Sequence, residues 1–146
     1  MVAYADTSFL VAAYSPEAQS QTALQWMQRT MVPVLFTPLH RLELRNAIRS
    51  HVFRREITVS QRSAAFDDVE SDLEDGILVH AALPWTDSLR EAERIGAAHT
   101  EILGTRSTDV LHVAAAVVLK ASDFLTFNLR QAKLAKTAGL KVWPNL

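Results

Sequence analysis

The sequence predicts an α/β fold, a three-layer sandwich around a mostly parallel central sheet of about four or five strands. Two observations predict it. Short apolar runs alternate along the whole chain with longer segments of helical spacing, which is the pattern of strands joined through helices. One of those helices, from Ser107 to about Ala121, is apolar on nearly every face and should therefore be central and buried.

In order, Val2 to Ala5 reads as a strand that Asp6 ends, and Thr7-Ser8 supplies capping chemistry for a helix to about Tyr14. Ser15-Pro16 breaks that helix and Glu17 to Arg29 restarts one. Val34 to Phe36 is a second strand, flanked by Pro33 and Pro38. Leu39 to Arg54 carries apolar residues near helical spacing, and Ser60 opens a further helix to about Asp72. Leu78 to Ala81 is a strand, Asp87 to His99 a helix, and Gly104 a loop. After the buried helix, which Ser107 caps, Phe124 to Phe127 is a strand. Leu129 to Ala138 is a helix stopped by Gly139, and Lys141 to Trp143 closes the chain as a strand.

The 146 residues and 49% hydrophobic content suit one domain, residues 1–146, with a real core. A charged fraction of 21% and a net charge of −1 argue against disorder. No apolar stretch approaches the roughly 18 residues of a membrane helix, so no membrane partner is expected. The N-terminus lacks a basic region and a cleavage site, so a cytoplasmic location is expected. The absence of cysteine removes disulfides, thiolate zinc sites and cysteine nucleophiles.

Four distant positions carry oxygen-bearing side chains at strand ends or on apolar helices: Asp6, Glu43, Asp109 and Asn128. Each has an ordinary explanation. Asp6 could cap the next helix, and Glu43 could pair with an arginine such as Arg41 or Arg45. Asp109 is harder to dismiss. A first-turn acid gains about 0.3–1 kcal/mol from the helix dipole, little beside the cost of a charge near a dry core. Capping explains Ser107 or Thr108 better than Asp109. His112, one turn later, reads as a core histidine with one hydrogen bond. In a parallel sheet, ligands gather beyond the carboxyl ends of strands, where Asp6 and Asn128 fall. Three carboxylates meeting there would repel one another. A hard divalent cation, Mg²⁺ or Mn²⁺, would relieve the repulsion, and such ions bind phosphodiesters and activate water.

Net neutrality hides asymmetry. From Arg41 to Arg55 there are five arginines and a single acid, Glu43. Between Asp67 and Asp75 stand six acids and no base. Arg41, Arg45 and Arg49 form one ridge at four-residue spacing, and Arg106 and Arg130 flank Asp109 and Asn128. The ridge could track a nucleic-acid backbone or pair with the acidic run. The acidic run itself reads as solvated helix surface. No interleaved aromatics mark an RNA-recognition surface.

At these residues the chain resembles the PIN-domain family, and within it the VapC-type toxins. The carrying segments are Tyr4-Ala5-Asp6-Thr7-Ser8-Phe9-Leu10, Leu42-Glu43-Leu44-Arg45-Asn46-Ala47, Thr108-Asp109-Val110-Leu111-His112-Val113-Ala114-Ala115-Ala116 and Phe124-Leu125-Thr126-Phe127-Asn128-Leu129-Arg130-Gln131. The resemblance implies a Mg²⁺- or Mn²⁺-dependent endoribonuclease with Asp6, Glu43 and Asp109 as metal ligands. It implies a homodimer and, for a toxin, an antitoxin partner. It makes Thr7 or Ser8 and Thr126 hydroxyls that orient carboxylates or water. Asn128 departs from the pattern, which usually carries a fourth acid there. Its amide oxygen can still assist, but the lost charge predicts weak binding of a second ion and a high metal requirement. Asp123 is no substitute, because five residues of extended chain place it about 16 Å away.

Two other readings compete. One is a PIN-like module that binds RNA or protein with weakened catalysis. The other is a phosphate-accepting signalling domain with Asp6 as acceptor, which lacks the acidic neighbour of Asp6 and the late-strand lysine it would need.

Overall fold

Five three-residue strands alternate with seven helices over residues 1–145, the part of the chain that the computed structural model describes. Every described strand pair is parallel, which the predicted strand–helix alternation requires, since parallel neighbours need a crossover. The chain forms two compact units, residues 1–6 with 82–146, and residues 7–81.

The first unit contains β1 (Ala3–Ala5), α5 (Trp85–Leu103), α6 (Ser107–Val118), β4 (Asp123–Leu125), α7 (Leu129–Thr137) and β5 (Lys141–Trp143). Strand β4 lies between β1 and β5, with Ala5 in register with Leu125 and Leu125 with Trp143. Tyr4 of β1 and Phe124 of β4 are fully buried and stack with ring centroids 5.7 Å apart. The predicted buried helix is α6, whose Val113, Ala114, Ala115 and Ala116 have no exposed surface. Three consecutive alanines keep its flank thin, so that α5 and α7 both pack against it. Gly104 ends α5 at φ +68, in the left-handed region that costs glycine least.

The second unit contains α1 (Thr7–Tyr14), α2 (Ser20–Thr30), β2 (Val34–Phe36), α3 (Pro38–Phe53), α4 (Val59–Glu74) and β3 (Leu78–His80). Phe9, Leu10, Val34, Phe36, Leu44, Ile48, Val69 and Leu78 supply its core. Trp26 of α2 meets Phe9 edge to face, with centroids 6.1 Å apart.

Several boundaries differ from expectation for identifiable reasons. Helix α4 starts at Val59 rather than Ser60, because Thr58 and Gln61 form a reciprocal capping box: each side chain accepts from the other's backbone N–H. Helix α2 starts at Ser20, after a turn in which the Ser20 hydroxyl accepts from the Glu17 N–H and the Glu17 carboxylate accepts from the Gln19 N–H. Helix α6 stops at Val118, and Lys120 turns the chain at φ 59. Strand β4 runs from Asp123 to Leu125, not Phe124 to Phe127. Asp123 therefore opens the strand opposite Ala3, at the end away from Asp6.

Among the described residues, no helix is long and apolar enough to cross a membrane.

Candidate metal centre and nucleic-acid surface

The site grows out of the parallel pairing of β1 and β4. Because the two strands run the same way and are in register, the residue after each emerges at the same edge of the unit. The Asp6 N–H continues the ladder to the Leu125 carbonyl at 3.0 Å, and the Thr126 N–H continues it to Trp143 at 3.1 Å. Asp6 and Thr126 are both buried, 6% and 0% exposed. The Thr126 hydroxyl donates a short hydrogen bond to Asp6 Oδ2. A carboxylate this enclosed costs several kcal/mol unless it is compensated, and a hydroxyl donor compensates part of that.

The same hydroxyl accepts from the Asn128 N–H at 2.9 Å. Asn128 is the N-cap of α7, its side-chain oxygen accepting from the Gln131 N–H at 3.1 Å. Gln131 then donates from its side-chain amide to the Asp109 backbone carbonyl at 3.2 Å. An unbroken hydrogen-bonded path thus runs from Asp6 through Thr126, Asn128 and Gln131 to Asp109. Sequence reading missed Gln131 as a member. Its signal was weak: a polar residue at a position of α7 that is fully buried.

Asp109 is half-buried in the first turn of α6. Its Oδ2 accepts the Arg106 N–H at 3.0 Å. The expectation that Ser107 or Thr108 would do the capping is corrected here. Arg106 is the N-cap residue, and the acid three residues on answers its orphan N–H. A shallow polar cavity of about 250 Å³ opens beside it, lined by Arg106, Thr108, Asp109, Asn128 and Arg130. Two guanidinium groups at this rim suit an anionic ligand. The Arg130 guanidinium also donates to the Gly104 carbonyl at 3.2 Å, which ties that head group to the loop.

Behind the acids, His112 of α6 is 4% exposed and shares a 2.7 Å hydrogen bond with the Tyr4 hydroxyl. This is the core histidine the sequence suggested. Of the other hydroxyls, Thr7 and Ser8 are half-buried at the start of α1, and Thr7 Oγ1 is enclosed with no partner among the described residues.

Glu43 lies in the second unit, half-buried on α3 between its apolar positions Leu44 and Ile48 and the exposed Leu42. The arginine ridge of the same helix is engaged. Arg41 pairs with Glu70 at 2.7 Å and lies over Phe36, while Arg45 and Arg49 both cover the Phe66 ring. Of the two uses weighed for the ridge, pairing with the acidic run is the one seen for Arg41. The acidic run lies on α4 and the turn after it, and is mostly exposed. Its half-buried Asp72 accepts from the Tyr14 hydroxyl.

Among the described residues, no group of three or more His, Cys, Asp or Glu side chains is gathered tightly enough to hold a metal ion. The donor set itself is all oxygen, carboxylates with hydroxyl and amide neighbours. Oxygen donors of this kind are what a hard cation such as Mg²⁺ or Mn²⁺ takes and a soft one does not.

The PIN-domain family model matches residues 3–137, and the chain belongs to that family. PIN domains are generally nucleases. The chain also shares its fold with a chain of VapBC2 from Rickettsia felis, solved bound to a DNA fragment from the VapBC2 promoter. The TM-score is 0.63 at 13% identity, over 97% of each chain. Comparison with curated proteins finds no relative by sequence.

Proposed function

We propose that this chain is a single-domain, divalent-metal-dependent endoribonuclease and the toxin of a toxin–antitoxin pair, acting in the cytoplasm as a homodimer. The observation that carries the reading is the buried Asp6 carboxylate, held by Thr126 and linked by hydrogen bonds to Asp109. A bound cation would offset the cost of burying that carboxylate.

Asp6 and Asp109 would hold Mg²⁺ or Mn²⁺. Glu43 joins them on the family resemblance alone. When bound, the ion would supply Lewis acidity to a phosphodiester and to attacking water. The chain's own groups do the rest. Thr126 fixes the rotamer of Asp6, and Asn128 fixes Thr126 while starting α7. Arg106 and Arg130 would receive the RNA phosphate at the polar cavity. Arg41, Arg45 and Arg49 would offer a positive path along α3, with Arg45 and Arg49 held over the Phe66 ring. The VapBC2 structure supports an antitoxin as partner.

The second reading, a PIN-like binding module with weakened catalysis, is favoured by one observation: Asn128 spends its side-chain oxygen on the cap of α7. Incubating the protein with single-stranded RNA and Mn²⁺ separates the two. The nuclease reading expects cleavage that disappears in Asp6→Asn. Binding of RNA without cleavage at millimolar Mn²⁺ would leave only the module.

A further inference from the structure

We propose that Gln131 is a positioning residue for the reaction, acting through Asp109 by bracing the first turn of α6 against the start of α7. The inference rests on the nuclease reading above.

Gln131 has no exposed surface. Its neighbours on the buried face of α7 are Ala132, Leu134 and Ala135, so an apolar side chain is what packing alone would select. Glutamine is an expensive choice there. Its side chain loses up to about 1.5–2 kcal/mol of rotamer entropy on burial. Its Oε1 is enclosed with no partner among the described residues, a loss of about 1–3 kcal/mol. What glutamine adds over leucine or methionine is one bond: the side-chain amide donates to the Asp109 carbonyl at 3.2 Å.

That bond has leverage because both of its ends are fixed. The Gln131 N–H is held by Asn128 Oδ1, and Asn128 is held through Thr126 to Asp6. Asp109 is three residues from the helix's N-cap, in the turn most prone to fray. A metal ligand must be held within about 0.5 Å of its working position. Gln131 therefore sets the distance between the Asp6 and Asp109 carboxylates without touching either one or the RNA.

The test replaces Gln131 by Met, which is similar in length and volume but has no donor, with Gln131→Leu alongside. Melting temperature, Mn²⁺ affinity by calorimetry, and kcat and KM on RNA are measured for each. Hydrogen exchange of the Arg106 amide, which reports on Asp109 Oδ2, is followed in the metal-free protein. The brace predicts an unchanged or higher melting temperature, about tenfold weaker Mn²⁺ binding, a lower kcat with KM retained, and faster Arg106 exchange. Wild-type Mn²⁺ affinity and kcat in the folded Met variant would overturn it, as would loss of the fold in both variants. A wild-type protein that neither binds Mn²⁺ nor cleaves RNA would sink the nuclease reading and the positioning role with it. The Arg106 exchange would then show whether the brace exists as a structural feature on its own.

Discussion

The hydroxyl of Thr126 donates into the buried carboxylate of Asp6, 120 residues earlier in the chain. Parallel pairing of β1 and β4 makes the contact, because each residue is the first to leave its strand at the same edge. We predict that Thr126→Val weakens Mn²⁺ binding about 10- to 100-fold, while Thr126→Ser, which keeps the donor, stays near wild type. Calorimetric titration of Mn²⁺ into the three proteins checks this. Equal affinities for Val and Ser would show that Thr126 contributes shape and not its hydroxyl.

Asn128 has a double identity that substitution can separate. Loss of the cap in Asn128→Ala should destabilise the protein by about 1 kcal/mol, seen as a lower melting temperature. Asp is as good a cap, so Asn128→Asp should melt near wild type. It also adds the charge that the family pattern carries here and should reduce the Mg²⁺ concentration needed for half-maximal cleavage. An unchanged metal requirement in Asn128→Asp would mean that the position serves the helix alone.

The Arg41–Glu70 pair is predicted to matter little for stability. Both side chains are more than a third exposed, and such pairs contribute about 0–1 kcal/mol. The hydrogen bond from Arg41 holds the Glu70 carboxyl below its ordinary value. A depressed folded pKa gives stability that is present above the unfolded value and lost as pH falls through the folded one. Any melting-temperature gap between wild type and Glu70→Gln should therefore exist at pH 6 and shrink as pH falls below the ordinary glutamate value of about 4.3. Freeing Arg41 should leave RNA affinity equal or higher, measured by fluorescence anisotropy. A marked loss of affinity in Glu70→Gln would contradict the proposed phosphate path along α3.

Tyr14 gives an alkaline signature. Burial first, and then the Asp72 carboxylate that its hydroxyl donates to, push its phenol far above the ordinary value of 10. Above pH about 10 the unfolded chain would release this proton and the folded chain would keep it. The unfolded state then binds fewer protons, so stability falls as pH rises. Tyr14→Phe should lose about 1 kcal/mol at neutral pH and show a shallower decline between pH 9.5 and 11 in urea titrations. Equal slopes for the two proteins would refute the assignment.

What could be read from the sequence followed the strength of the local signal. The buried nature of α6 was legible because consecutive apolar residues leave no solvent face. Strand β1 and the position of Asp6 were legible because a charge closes an apolar run. The end of α7 was legible because Gly139, at φ +84, takes a conformation that most residues avoid. The start of α4 was misjudged because Ser60 and Thr58 are both capping residues, and only the pairing of Thr58 with Gln61 decides between them. The capping role of Asp109 was missed because its partner is a backbone N–H, to which the identity of Arg106 gives no clue. Arg41 could be weighed equally for RNA or for the acidic run, since its partner Glu70 lies 29 residues on. Gln131 was invisible as a brace because its partner is a main-chain carbonyl on another helix.

The most direct test is anomalous scattering from crystals soaked in Mn²⁺. We predict one strong peak within about 2.0–2.2 Å of carboxylate oxygens of both Asp6 and Asp109, as a hard divalent ion requires, and its disappearance in Asp6→Asn. A peak confined to the Asp67–Asp75 run, or none near Asp6 at millimolar Mn²⁺, would contradict the proposal that these two acids exist to hold a cation.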